Sequence, residues 1–164
     1  MNDISEGTPK SVRILRPFRV ADTPRMAELF KNTVRTVNSA DYDAEQTAAW
    51  TASVDLTQWS TRYAASFTVV CEANGVLLGF GNLTPDGTID MLYVNADFIR
   101  CGVGSEILAA LTEHARRCGL SALQTFASLT AKPFFDAQGW HAVRRNAVTK
   151  HGVVLENFLM RREL

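Results

Sequence analysis

The chain has 164 residues, the size of one domain with a substantial core, and 46% of them are hydrophobic. Lysine plus arginine and aspartate plus glutamate both number 17, so no overall field draws the chain to nucleic acid or to an acidic membrane surface. No apolar run approaches the roughly 20 residues that span a bilayer, and Cys71, Cys101 and Cys118 lack metal-ligand spacing and fit a reducing compartment.

A soluble, cytoplasmic chain without a metal is expected, with residues 1–10 as a loose leader and residues 11–164 as a single domain. Val12–Pro17 alternates as a half-buried strand does. Asp22 or Thr23 is positioned to cap a helix that carries Met26, Leu29, Phe30, Thr33, Val34 and Val37 at helical spacing. Asn38–Asp43 breaks that helix, Glu45–Ala52 resumes the pattern, and Leu56–Ala64 reads as a third short helix. Phe67–Ala73 and Val76–Leu83 are apolar strands joined at Asn74-Gly75, a hairpin signal. The turn at Pro85-Asp86-Gly87 leads into a strand over Thr88–Val94. Gly102–Cys118 is a long amphipathic helix stopped by Gly119. A strand over Ala122–Ala127, a short helix over Ala131–Gln138 and a hairpin of Ala142–Thr149 with Val153–Arg161 complete the chain. This order predicts an α/β fold of the α+β kind, a mixed sheet with helices on its faces.

The richest stretch is Asp90–Leu111, an apolar strand followed by a turn and a glycine-punctuated helix start. Gly102 and Gly104 sit where amide N–H groups lack intrahelical partners, and Arg100 stands beside them. Such a start suits a pyrophosphate. It is not a dinucleotide fingerprint, whose third glycine would fall on Ile107, nor a P-loop, because Gly104-Ser105 replaces the required Gly-Lys. A glycine pair at a helix start also serves plain packing.

The register resembles the GNAT superfamily of acetyl-coenzyme A-dependent N-acetyltransferases. Leu92-Tyr93-Val94 stands where that family ends its central strand, and Ile99-Arg100-Cys101-Gly102-Val103-Gly104 is similar to its phosphate-loop signature. Ala131-Lys132-Pro133-Phe134-Phe135-Asp136-Ala137-Gln138-Gly139-Trp140 resembles a second family block. Asp41–Trp50 is similar to an uncharacterised bacterial branch. Two positions depart from the family: Ile99 replaces the usual Gln or Arg, and Phe135 replaces a tyrosine that often protonates the departing thiolate.

The resemblance implies the acyl-CoA N-acyltransferase fold, mostly antiparallel, with helices on both faces. It implies acetyl-CoA as donor and a primary amine of a small molecule or peptide as acceptor, joined by direct attack in a ternary complex. Leu92, Tyr93 and Val94 would bind the cofactor arm through strand-like backbone pairing, with an N–H near Leu92 polarising the thioester carbonyl. Ile99, Arg100, Cys101, Gly102, Val103, Gly104 and Ser105 would form the phosphate loop. Ser128, Pro133, Phe134 and Phe135 would line the arm near its thiol.

An alkylammonium with pKa about 10 attacks only after losing a proton. The resemblance implies a base two or four residues before Leu92, at Asp90 or Thr88. Thr88 cannot accept the proton, and Asp90, expected to share a strand face with Leu92, is the candidate; its plainer reading is a solvated carboxylate or an ion pair. Ser128, Tyr93 or water would protonate the thiolate, with Tyr93 pointing away from Asp90 unless the strand bulges. The resemblance implies an acceptor pocket built by Asn38–Trp50, where Tyr42, Glu45, Gln46 and Trp50 would form a wall, or Tyr42 and Trp50 would only pin a helix to the sheet. A homodimer through the C-terminal hairpin is also allowed. An acyl-CoA-binding sensor with little catalysis is the rival reading, favoured by Ile99 and Phe135.

Overall fold

The computed structural model describes residues 12–164, so the expected leader lies outside the described residues. Its helices are α1 (Thr23–Thr36), α2 (Ala44–Thr51), α3 (Leu56–Ala64), α4 (Val103–Arg117) and α5 (Lys132–Ala137). Its strands are β1 (Ile14–Pro17), β2 (Phe67–Ala73), β3 (Val76–Leu83), β4 (Thr88–Val94), β5 (Ala122–Ser128), β6 (His141–Lys150) and β7 (Val153–Glu163). They form one sheet in the order β1-β2-β3-β4-β5-β7-β6, and only the β4–β5 pair is parallel. The expected mixed, mostly antiparallel sheet is therefore present, with element positions close to those read from periodicity.

Each face of the sheet has its own core. The helix α4 packs on β2, β3 and β4, burying Val103, Ile107, Leu108, Leu111 and Ala115 against Ile89, Leu123 and Met160. Gly79 and Gly81 of β3 make this close approach feasible, because a Cβ at Gly81 would lie 2.8 Å from Ile107. On the opposite face, α1 and α3 bury Met26, Phe30, Val34, Trp59 and Tyr63 on Val70 and Phe80. Edge-to-face rings stitch this core, with Phe30 5.2 Å from Trp59 and 4.9 Å from Tyr93.

Local caps explain the breaks between the first helices. Asp43 accepts from the Gln46 N–H at 2.8 Å, and the Gln46 amide oxygen accepts from the Asp43 N–H at 3.0 Å, a reciprocal capping box. Asp55 caps α3 in the simpler way. Of the two residues expected to cap α1, Thr23 is its first helical residue, and Asp22 stands at the N-cap without a side-chain cap bond. Its buried carboxylate instead binds the Arg16 guanidinium at 2.7 and 2.8 Å, because an ion pair in the interior outweighs a cap that Pro24 makes less necessary.

Candidate active site

The strands β4 and β5 pair only at Thr88–Gln124 and Ile89–Thr125, and then diverge. Beyond Ile89 the β5-facing edge of β4 is thus open. Met91 sends its N–H to the Asn82 side chain and Asn95 sends its N–H to Leu78 O, both toward β3. By alternation, Leu92 and Val94 direct their N–H groups into the opening. A cavity of about 400 Å³ fills it, lined by Leu92, Val94, Arg100, Gly104, Ser128 and Phe134 among others.

At one end of this slot, α4 begins on Gly102, which has φ +84 and no side-chain cap. The first helix bond that reaches back here runs from Glu106 N–H to Gly102 O, so the N–H groups of Val103, Gly104 and Ser105 are left for another acceptor. Arg100, also in the left-handed region at φ +60, brings its charge to the same place. Arg13 fastens the loop from outside, donating to Cys101 O at 2.6 Å and pairing with Glu106 at 3.1 Å. The absent side chain of Gly104 leaves Phe134 and Val94 packed 3.5 Å from where a Cβ would stand. Free amides, an arginine and a bare glycine fit a bound pyrophosphate.

A second cavity of about 470 Å³ lies on the α1–α3 side of the sheet. Trp50, Asp90, Tyr93, Phe126 and Ser128 line both cavities, so the two meet at this group.

The comparisons with known proteins agree with this geometry. The family model described as Acetyltransferase (GNAT) domain matches residues 38–162. The chain belongs to the GNAT acetyltransferase family. It is 32% identical over 147 residues to the uncharacterized N-acetyltransferase YafP of Escherichia coli strain K12, spanning 90% of this chain and 93% of that protein. A crystal structure from Rhodopseudomonas palustris, described as a GCN5-related N-acetyltransferase, superposes with TM-score 0.89 at 32% identity, covering 96% of this chain and all of that one. The Salmonella typhimurium yncA structure, described as carrying acetyl-CoA, shares the fold with TM-score 0.71 at 20% identity, covering 93% of this chain and 94% of that one.

In this GNAT acetyltransferase, Asp90 does not share a face with Leu92 as the regular strand predicted. Ile89 pairs with Leu83 and Met91 with Asn82, which leaves Asp90 as the extra residue of a β-bulge. The bulge turns Asp90 to the α3 side, where Tyr93 also lies. There Arg62 grips both carboxylate oxygens, one at 2.6 Å, and Asn82 Nδ2 lies 3.3 Å away. The ion-pair reading of Asp90 is thus the one the geometry displays.

The Ser128 hydroxyl accepts from Ala131 N–H at 3.0 Å and from Asn38 Nδ2 at 3.4 Å, so its own proton is left to point into the slot. Burial pushes the Tyr93 phenol up, keeping it protonated over the whole neutral range. Ile99 and Arg100 line the slot, whereas Val103 is buried and Cys101 is exposed, leaving these two only backbone groups to offer there. The Ser105 hydroxyl is engaged by Gln138 at 3.0 Å. Phe134 faces the slot. Phe135 also lines the slot but is only 3% exposed, packed on Trp140, and Pro133 is exposed outside the slot lining.

Two of the four residues expected in the acceptor wall lie at the second cavity. Tyr42 and Trp50 line the second cavity, 5.1 Å apart edge to face. The Tyr42 hydroxyl is already used, donating to Glu156 O at 2.6 Å and accepting from Leu129 N–H at 2.9 Å. Glu45 is exposed, and Gln46 is spent on its capping box and on Val154 O; neither lines the cavity. The wall is completed instead by Trp59 and Arg62 of α3, Phe126 of β5, and Asn146 and Lys150 of β6. Sequence reading passed over these because each lies far along the chain from the motif it faces. The one available signal was Arg62 between Trp59 and Tyr63 on a helix.

Proposed function

We propose that this enzyme transfers the acetyl group of acetyl-CoA to a primary amine by direct attack, with donor and acceptor held together. The observation that carries this reading is the junction of the two cavities at Trp50, Asp90, Tyr93, Phe126 and Ser128. A donor arm along the open edge of β4 and an amine from the α1–α3 side would meet only there.

Bound acetyl-CoA supplies an activated thioester. The α4 N-terminus and Arg100 hold its phosphates, and the Leu92 and Val94 amides pair with its arm. The Leu92 N–H stabilises the negative charge that develops on the carbonyl oxygen. Ser128 holds a proton at Oγ for the departing sulfur, taking the role that Phe135 lacks the group to fill. Asp90 receives the proton that the amine sheds, directly or through water, when Arg62 shifts aside.

Calorimetric titration with acetyl-CoA and coenzyme A, followed by thiol release with a panel of primary amines, tests the reading. Micromolar binding is expected, with turnover falling roughly 10²-fold in Ser128→Ala while acetyl-CoA affinity holds. No binding at millimolar acetyl-CoA would overturn it. Binding without turnover on any amine would favour the sensor reading.

A further inference from the structure

The second cavity has an unusual balance of rings and charge. Phe30, Tyr42, Trp50, Trp59, Tyr93 and Phe126 contribute aromatic surface to it. Most of these rings pack on one another, but Phe126 is 47% exposed and projects into the cavity from β5. A large ring left open inside a cavity of about 470 Å³ suits a flat apolar ligand.

The charges count against an alkylammonium. Asp90 and Glu156 are the acidic residues of the lining. Glu156 shares a strand face with Phe158, which packs on the α4-side core, and alternates with Leu155 and Asn157 of the cavity lining, so its side chain lies on the other face of the sheet, 3.9 Å from Arg145. Asp90 is therefore the one carboxylate side chain facing the cavity among the described residues, and Arg62 occupies it. Lys150 adds a second cation to the wall. The cavity thus carries one net positive charge, and no carboxylate in it is free to hold an ammonium or to deprotonate one before attack.

We propose that the acceptor is an aromatic amine, with its nitrogen attached directly to a flat ring that lies against Phe126 and Trp50. This deepens the transfer reading above and rests on it. The nitrogen lone pair of such an amine is delocalised into the ring, so it is uncharged at neutral pH and enters a cationic cavity without the cost of desolvating a charge or the repulsion an ammonium would meet. Attack forms the C–N bond and breaks the C–S bond. The nitrogen loses one proton and the departing sulfur gains one, giving an N-aryl acetamide and the free thiol. A base is needed only after attack, which is the role left to a carboxylate that starts out ion-paired.

The isomers 4-ethylaniline and 2-phenylethylamine separate the alternatives, since they share atoms and ring and differ in whether the nitrogen is conjugated. Calorimetry on the full chain with coenzyme A present reads binding, and thiol release with acetyl-CoA reads transfer. The aniline is expected to lead by roughly tenfold or more in both, about 1.4 kcal/mol. Phe126→Ala, at a half-exposed position, is expected to lose roughly tenfold in aniline affinity with an unchanged melting temperature. Equal or better binding and transfer of 2-phenylethylamine would overturn the acceptor class while leaving acetyl transfer standing. A Phe126→Ala variant with full aniline affinity would also overturn it. Failure to bind acetyl-CoA at all would instead sink the transfer reading beneath it.

Discussion

Asp22 shows how one residue's surroundings set its chemistry. Its side chain is 4% exposed and faces Arg16, Arg25 and the Arg19 N–H. The hydrogen bond from Arg16 is the main cause that holds its carboxyl down to about 2, against an ordinary 3.8. Because the folded value is the lower one, the unfolded chain binds the proton more readily. The resulting stability is present in full above about pH 4 and is lost as pH falls toward 2, amounting to about 2 kcal/mol. Denaturant melts between pH 6 and pH 2 should show this loss, and Asp22→Asn should remove most of it. The same substitution is expected to lower stability at pH 7 by about 3 kcal/mol, since it leaves Arg16 partly unpaired.

At the level of elements, β3 and β4 do most to place the chemistry. Gly79 and Gly81 lower α4 onto the sheet, and this brings the α4 N-terminus level with the open edge of β4. A Cβ on Gly81 would stand 2.8 Å from Ile107 Cγ2, 3.1 Å from Met91 O and 3.2 Å from Leu111 Cδ1. Ile107 and Leu111 are fully buried and have nowhere to retreat. Gly81→Ala is therefore expected to cost about 2 kcal/mol through overpacking, read as a fall of roughly 5 °C in Tm. The bulge at Asp90 is the second device. It moves one carboxylate off the strand face of Leu92 to the α3 side, where Arg62 captures it.

The whole molecule closes the second cavity by joining distant segments. Tyr42 links the α1–α2 connection to β7 and to the β5–α5 connection through Glu156 O and Leu129 N–H. Gln46 donates to Val154 O at 3.1 Å, and His151 at the β6–β7 turn meets the Ser53 hydroxyl. These contacts tie the C-terminal hairpin to α2 across the cavity mouth. Tyr42→Phe removes a donor and an acceptor together and is expected to cost about 2 kcal/mol, with faster amide exchange in the hairpin as the specific sign. An unchanged exchange pattern would show that the hairpin holds its place without this link.

The sequence by itself determined the element order, the sheet class and the glycine-marked start of α4, because these rest on local signals. Periodicity, the turn residues at Asn74-Gly75, and the glycines at 102 and 104 act within a few residues of where they are read. Phe134 and Trp50 were legible for the same reason, as parts of contiguous motifs. The face of Asp90 was not, since a bulge depends on the register of the neighbouring strand. Arg62 lies 28 residues from Asp90, and Lys150 is 60 residues from it. Glu45 read as a pocket carboxylate because the family resemblance places the acceptor pocket at Asn38–Trp50, yet the rotation of α2 turns it to solvent. Which charges face one another across a cavity is fixed by how helices and strands pack, and only the tertiary structure decided that.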